Sequence, residues 1–248
     1  MLMSDGSAIL VFARGPRVES RLKSLGRGDR GTGASAATLL LEHSLAVARG
    51  SGADTIVAGD EEIARSRPVG VRLLLQRGTG FGERLRNAVA DTFALGYRRV
   101  VVIGTDTPAL SPVLCHAALK ALAVGSSRTV VLGPSRDGGY YLIGFNAFIE
   151  RAFAGIPWKT RHVLARTKQA LSDCRLISLR TLTDADDEGS LVRALGETRM
   201  GGSIAALRRV LDRTRLVRCP SLFETKLATL AAALIPVRRG PPLPSVAS

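Results

Sequence analysis

The feature that most limits the possible folds of this chain is a regular alternation of strand-length apolar runs with helix-length amphipathic stretches. The segment 100–104 (VVVIG) is apolar throughout, which is typical of a central strand covered on both faces. Further strands are predicted at 8–12, 55–58, 71–76, 129–133, 141–145 and 174–179, and helices at 34–49, 82–95, 111–123, 160–171 and 188–194. This alternation predicts an α/β domain whose mostly parallel central sheet carries helices on both faces.

The C-terminal part of the chain departs from this pattern. We expect a first domain of residues 1–196, a helical extension of residues 197–236 and a disordered tail of residues 237–248. Helices are predicted at 204–212 and 221–234, after a hinge at Gly201 and Gly202. The second of them could dock on its own domain, on a second subunit to form a homo-oligomer, or on a membrane surface. Docking on its own domain is the commonest arrangement.

Composition limits the class of partner. The 248 residues include 35 Lys and Arg against 21 Asp and Glu, a formal net charge of +14. Such a charge favours polyanionic partners such as nucleotides, but the arginines are scattered rather than clustered, so the pattern does not favour nucleic-acid binding. A genome that prefers arginine explains the charge equally well. The three cysteines and three histidines are dispersed, which argues against a disulfide framework and a zinc site. No apolar run is long enough to span a membrane, and we expect a cytoplasmic protein.

Two loops after predicted strands carry residues suited to phosphate and metal. The glycine-rich segment 14–33 follows the first strand and carries six cations, namely Arg14, Arg17, Arg21, Lys23, Arg27 and Arg30. Backbone N–H groups and guanidinium groups of this kind bind diphosphates, although a solvated basic loop would look the same. Asp106, in the string GTDTP (104–108), follows the central strand and could hold Mg²⁺ or Mn²⁺. Its alternative role, capping the next helix, is better filled by Ser111, which precedes Pro112.

Two later loops complete the candidate site. The string DGGYY (137–141) could form an Asp-Gly hairpin turn, line a substrate pocket, or do both. In the string DADDE (184–188), Asp184 and Asp186 occupy alternate positions and could share a cation with Asp106, whereas Asp187 and Glu188 fit the start of a helix. In an open α/β sheet such loops meet at the carboxyl ends of the strands.

Six strings together resemble one family. They are FAR-P (12–16), QRGTGFGERL (76–85), VVIGTDTPAL (101–110), VLGPSRDGGYYLIGF (131–145), GIPWKTRHVLART (155–167) and DADDEGSL (184–191). Over about residues 8–195 the chain is similar to the glycosyltransferase-A-like family of arsenosugar-biosynthesis or radical-SAM-associated transferases. That family is related to the MobA-like and phospholactate guanylyltransferases. The resemblance implies a GT-A fold, the Rossmann-like three-layer sandwich of nucleotide-diphospho-sugar transferases.

The resemblance also implies roles for individual residues. It places Asp106 and Asp137 in catalysis, and Asp106, Asp184 and Asp186 on a Mg²⁺ or Mn²⁺ ion. Nucleotide and phosphate binding is assigned to Arg14, Arg21, Lys23, Gly82, Arg84 and Thr105. The substrate pocket is assigned to Gly138, Gly139, Tyr140, Trp158 and Thr160, with the last two on the acceptor side.

Three positions depart from the family pattern. Glu19 stands where the phosphate loop of the family has a lysine, Gly80 where an acidic residue precedes the GER string, and Ser190 where an aspartate is usual. A carboxylate in place of a phosphate-facing cation weakens nucleotide binding unless Lys23 or an arginine compensates. We expect these changes to leave the fold intact but to threaten activity, so that a degenerate or altered-substrate member is an open alternative.

The sequence thus predicts a metal-dependent transferase that takes a nucleotide-sugar or nucleoside triphosphate donor, with glycosyl transfer to a small acceptor as the leading reaction. Nucleotidyl transfer of the guanylyltransferase kind is an alternative that the residues do not separate from it. A nucleotide-binding or scaffolding protein that has lost catalysis is an alternative of another class. A dehydrogenase is disfavoured because the glycine-rich string GRGDRGTG (26–33) lies well past the first strand rather than directly after it. A serine hydrolase is disfavoured because G-x-S-x-G is lacking.

Overall fold

The structure is a computed structural model that describes residues 6–23, 30–66, 68–125, 128–198 and 203–210. The predicted hinge at Gly201 and Gly202, the predicted helix at 221–234 and the predicted tail at 237–248 lie outside the described residues. In the described part, none of the helices combines the length and hydrophobicity that crossing a membrane needs.

A seven-stranded sheet organises the described residues. Its strands are β1 (Ser7–Phe12), β2 (Asp54–Gly59), β3 (Arg72–Leu75), β4 (Arg99–Ile103), β5 (Thr129–Pro134), β6 (Tyr140–Phe145) and β7 (Arg175–Ser178), in the order β3-β2-β1-β4-β6-β5-β7. Strands β3, β2, β1 and β4 pair in parallel, β6 runs antiparallel to β4 and β5, and β7 pairs in parallel with β5. The predicted mostly parallel sheet is confirmed.

Helices cover both faces of this sheet. They are α1 (Pro16–Leu22), α2 (Arg30–Gly50), α3 (Glu61–Ser66), α4 (Phe81–Ala94), α5 (Pro112–Val124), α6 (Val163–Ala170), α7 (Glu188–Gly196) and α8 (203–210), with a 3₁₀ turn at Glu150–Ala152. Side chains alternate across each strand. Ile9 and Val11 therefore pack with the layer of α2 and α5, whereas Ala8 and Leu10 pack with the layer of α4. The predicted three-layer sandwich is confirmed.

Two short helices differ from the predictions. The segment 14–33, predicted to be a loop, contains α1 and the first residues of α2. Pro16 occupies the first turn of α1, where its fixed φ favours a helix, and no residue of α1 is buried. Helix α3 has no counterpart among the predicted helices and buries only Ile63. Apolar periodicity cannot reveal helices that lack an apolar face.

Two predicted helix starts are also refined. Helix α6 begins at Val163, three residues after the predicted start, because residues 157–162 form turns. Ser111 occupies the predicted N-cap of α5 in an extended conformation, but its side chain makes no capping hydrogen bond.

A separate apolar cluster joins the C-terminal elements to the domain. Ala36 and Leu40 of α2, Leu191 of α7, and Ile204 and Leu207 of α8 pack together there. The described residues 203–210 thus form a helix that packs on the main domain. The predicted extent of that helix beyond residue 210, and the domain boundaries themselves, stay predictions.

Helix α7 begins with a capping box. The Asp187 carboxylate accepts a hydrogen bond from Ser190 N at 2.7 Å, and the Ser190 hydroxyl accepts one from Asp187 N at 2.9 Å. The predicted role of Asp187 at the helix start is confirmed. Ser190, which stands where the similar family usually has an aspartate, therefore completes the capping box that ends the acidic segment and begins α7.

We expect Asp187→Ala to lower the free energy of unfolding by about 1 kcal/mol, because the backbone N–H of Ser190 loses its acceptor. Asp187→Asn is the matched control, since asparagine caps a helix about as well as aspartate. Urea unfolding followed by circular dichroism measures both. Equal stabilities of the alanine and asparagine variants would contradict the capping role.

Candidate functional site

A cavity of about 610 Å³ opens at the carboxyl ends of β1 and β4 and at the start of β6. This is the edge at which open α/β sheets bind ligands. Eleven residues assigned to the site from the sequence line the cavity, namely Arg14, Lys23, Thr105, Asp106, Asp137, Gly139, Tyr140, Trp158, Thr160, Asp184 and Asp186. The structure thus brings together loops that are far apart in the sequence.

Four assigned residues do not line the cavity. Arg21 is exposed on α1. Gly138 has a φ of +91°, and a Cβ there would overlap the carbonyl of Arg161. Gly82 is buried beneath Trp158, and Arg84 is half-buried with its Nε atom lacking a partner among the described residues. Gly82 and Gly138 therefore pack against Trp158 and Arg161, which line the cavity. Nucleotide contacts by Arg21 and Arg84 stay predictions.

The centre of the site is a lysine between carboxylates. Lys23 Nζ donates to Asp106 Oδ2 at 2.7 Å and to the carbonyl oxygen of Ala185 at 3.2 Å, and it lies 3.0 Å from Asp186 Oδ1. Burial lowers the pKa of Lys23, but the charges of Asp106 and Asp186 outweigh it and raise that pKa overall. Burial alone would raise the pKa of Asp106, but the nearby Lys23 ammonium outweighs burial, and the pKa of Asp106 is lowered overall. Lys23 and Asp106 are therefore both charged near neutral pH.

A backbone contact holds the two acidic loops together. Ala185 N donates to the carbonyl oxygen of Asp106 at 2.7 Å, and Thr107 Oγ1 donates to Asp184 Oδ1 at 2.8 Å. Asp184 and Asp186 consequently face different partners, the first Thr107 and the second Lys23. Burial, followed by the charge of Asp106, raises the pKa of Asp184 to about 8. Carboxyl groups are therefore crowded at this edge.

The donor set fits a hard divalent cation. Asp106 and Asp186 both reach the point that the Lys23 ammonium occupies, and carboxylate oxygens are the ligands that Mg²⁺ and Mn²⁺ prefer. Within residues 6–210, as far as they are described, no three His, Cys, Asp or Glu side chains form a ready-made metal site. Asp106 and Asp186 are the two carboxylates that could hold a metal at this point, and their metal ligation, like a direct contact from Asp184, stays a prediction.

The first loop has its own internal ion pair. Arg14 Nη1 lies 3.1 Å from Glu19 Oε2, and the Glu19 carboxylate lies 3.6 Å from Lys23 Nζ. Glu19 thus stands between the two cations of the loop that line the cavity. Its departure from the family pattern places a negative charge where the resemblance expects a phosphate to be held.

Two residues that the sequence did not single out position this loop. Asp60 accepts from Gly15 N at 2.9 Å and caps α3 through Glu62 N and Ile63 N. Gln76 Nε2 donates to the carbonyl oxygen of Ala13 at 2.8 Å. Both residues directly follow strands that end at the cavity edge, and that position is the sequence signal that could have revealed them.

Aromatic rings form one wall of the cavity. Phe81 lies between Phe12 and Trp158, with ring centroids 5.5 Å and 5.2 Å away, and Tyr140 meets Trp158 edge-on at 6.4 Å. The Tyr140 hydroxyl is buried without a hydrogen-bond partner among the described residues, and burial raises the pKa of Tyr140. Phe12 and Phe81 are not among the site residues predicted from the sequence. The wall offers flat apolar surface to a sugar ring, a base or an acceptor.

The Asp-Gly turn between β5 and β6 is confirmed, and it also lines the cavity. The Asp137 carboxylate accepts from Gly139 N at 2.9 Å and from the Ser135 hydroxyl. These contacts give Asp137 a structural role in its own turn, while Asp137 and Gly139 both face the cavity. A catalytic role for Asp137 stays a prediction.

Comparisons with known proteins agree with this fold. A family model described as an uncharacterized protein conserved in bacteria (DUF2064) matches residues 39–160, slightly less than half of the chain. A protein from Desulfovibrio desulfuricans G20, provisionally named a nucleotide-diphospho-sugar transferase, is 26% identical with a TM-score of 0.73 over 86% of this chain and 99% of its own. No curated protein sequence matches significantly.

More distant structures share the fold alone. Rv0371c from Mycobacterium tuberculosis H37Rv is 16% identical, with a TM-score of 0.52 over 79% of this chain and 100% of its own. A second structure of Rv0371c, in complex with manganese, is 16% identical with a TM-score of 0.50 over 77% and 97% of the two chains. The chain thus has the fold of nucleotide-diphospho-sugar transferases. The finer resemblance to arsenosugar-associated or MobA-like enzymes stays a prediction.

We expect Gly82→Ala to displace Trp158, because a Cβ at position 82 would overlap the indole ring. Trp158 is the only tryptophan in the sequence, so a shift in intrinsic fluorescence emission reports its movement. Gly80→Ala is the matched control, since a Cβ at position 80 meets nothing within 4 Å. The same emission spectrum for both variants would show that Gly82 does not support the aromatic wall.

Proposed function

We propose that this protein is a divalent-metal-dependent transferase that uses a nucleotide-sugar or nucleoside triphosphate donor, with glycosyl transfer to a small acceptor as its reaction. One observation carries the proposal. Carboxylates from two separate loops, Asp106 and Asp186, reach a single point in the cavity at the ligand-binding edge of the sheet. The fold and the provisional name of the D. desulfuricans protein support the same class of reaction.

The donor diphosphate would lie between the acidic centre and the first loop. A bound Mg²⁺ or Mn²⁺ would neutralise the charge that develops on the leaving phosphate. The complex of Rv0371c with manganese supports a metal of this kind on this fold. Arg14 and Lys23 line the same cavity and would bind the phosphate oxygens. Thr105, which precedes Asp106 after the end of β4, lines the same space.

The acceptor would occupy the aromatic side of the cavity. Tyr140 and Trp158 provide flat surface there, and Thr160 lines the same region. The cavity of about 610 Å³ is in the range of small-molecule sites, and we propose a small acceptor. Lys159 and Arg161 also line the cavity and would favour an acceptor that carries negative charge.

Nucleotidyl transfer uses the same centre and is distinguished by its products. Glycosyl transfer releases a nucleoside diphosphate, whereas nucleotidyl transfer from a triphosphate releases pyrophosphate. Phosphorus NMR of reactions with nucleotide sugars and with nucleoside triphosphates separates the two. The absence of both products would favour a third possibility, a protein without turnover.

A catalytically inactive nucleotide-binding protein is favoured by one observation, the position of Glu19. Its carboxylate neutralises Arg14 and approaches Lys23, the two cations that the donor phosphates need. Replacing Glu19 by lysine would then restore turnover to an inactive protein. An active enzyme would instead show turnover with Glu19 in place.

We expect Asp106→Asn to reduce metal-dependent turnover at least about 100-fold, because the substitution removes a negative charge that would hold the metal. Steady-state product release with Mn²⁺ measures the effect. Asp91→Asn is the matched control, since Asp91 pairs with Arg77 on the surface of α4 and does not line the cavity. Full turnover by the Asp106 variant would refute the proposed role of this edge.

A further inference from the structure

The Lys23 ammonium occupies the position that a metal held by Asp106 and Asp186 would need. Its nitrogen lies 2.7 Å from one carboxylate and 3.0 Å from the other. A divalent ion on the same oxygens would lie about 2.1 Å from each of them, in the same volume. The ammonium and the metal therefore cannot be bound there together, for reasons of both space and charge.

Lys23 is largely buried and makes several contacts in the site. Its side chain is only 12% exposed, and it also contacts the carbonyl oxygen of Ala185 and approaches Glu19. It is the last residue of the first described segment and lies directly after α1, a helix that buries no residue. Moving Lys23 away from the carboxylates would therefore expose no part of the apolar core.

The cavity offers Lys23 a second anionic partner when a donor is bound. Lys23 and Arg14 both line the space next to Asp106, where the proposed function places the diphosphate. A metal–diphosphate complex would bring a cation for the aspartates and phosphate oxygens for the ammonium in one step. Neither ligand alone would satisfy all of these charges.

We infer that Lys23 is an exchangeable internal counter-ion, which holds the cation position between Asp106 and Asp186 until a metal-bound diphosphate replaces it. The inference rests on the proposed function and adds a binding order to it. Metal alone binds weakly because it must displace the ammonium from two carboxylates without offering it a new anion. Metal and nucleotide bind with positive coupling, since each makes the exchange more favourable for the other.

The test measures Mn²⁺ binding in the absence of nucleotide, by electron paramagnetic resonance or isothermal titration calorimetry of the full chain. We expect Lys23→Met to bind Mn²⁺ at least about tenfold more tightly than the wild type, because two carboxylates lose their counter-ion. Lys23→Arg keeps the charge and should bind Mn²⁺ as weakly as the wild type. Lys120→Met, an exposed position on α5, removes a charge elsewhere and should leave the affinity unchanged.

The same titrations with nucleoside diphosphates test the coupling. In the wild type we expect a nucleotide that binds to strengthen Mn²⁺ binding about tenfold or more, and Lys23→Met to lose most of that gain. An unchanged or weaker Mn²⁺ affinity of Lys23→Met would overturn the inference. If the methionine variant folds poorly, Lys23→Gln replaces it in the titrations. The rise in Tm that Mn²⁺ produces in this variant, compared with the rise in the wild type, then reports the same difference in affinity.

Failure of the proposed function gives a different result. If the wild type binds no nucleotide in a Mn²⁺-dependent manner, the transferase proposal falls, whatever the lysine variants do. If the wild type binds metal and nucleotide but Lys23→Met gains no affinity for Mn²⁺ alone, only the counter-ion role of Lys23 falls.

Discussion

The parallel pairing of β1 with β4 is the constraint on which the site depends. The two strands run side by side from Ser7 opposite Arg99 to Val11 opposite Ile103. Because parallel strands end at the same edge, the loop that carries Arg14 and the loop that carries Asp106 leave the sheet as neighbours. A slip of two residues would move one loop past the other by about 6.6 Å and break the contact between Lys23 and Asp106. The apolar layers on both faces hold this register, and the geometry of the acidic centre follows from it.

Five aspartates in or next to the site differ in what their oxygens contact. Asp60, Asp137 and Asp187 accept hydrogen bonds from backbone N–H groups of a helix start or a turn, so they shape the loops that carry them. Asp106 and Asp186 face an ammonium inside a cavity. Burial, followed by the charge of Asp106, raises the pKa of Asp184, whereas Lys23 balances the charges of Asp106 and Asp186. Carboxylates in a cleft whose pKa is perturbed by burial and by a specific charged partner are candidates for a functional site.

The sequence revealed the elements that bury apolar surface and the edge at which the site lies. Continuous apolar runs such as 100–104 matched the strands to within one or two residues, because burial on both faces requires them. Helices α1 and α3 were missed since they bury almost nothing, and an apolar run does not show that β6 is antiparallel. The edge rule predicted that Asp106 and Asp186 meet. The placement of Lys23 between them could not be read from the chain, since 83 residues separate the lysine from Asp106.

The charge in the cavity implies that the proposed metal would also help to bind the donor, besides assisting the leaving group. The described residues that line the cavity include five carboxylates, Glu19, Asp106, Asp137, Asp184 and Asp186, against four cations, Arg14, Lys23, Lys159 and Arg161. A protein of formal net charge +14 thus has a binding cavity that offers no excess of positive charge to a diphosphate. A donor that carries two or more negative charges would therefore gain little net attraction there unless a divalent cation entered with it. The same reasoning explains how the first loop can contain Glu19, because the attraction for phosphate that the loop lacks would come from the metal on Asp106 and Asp186.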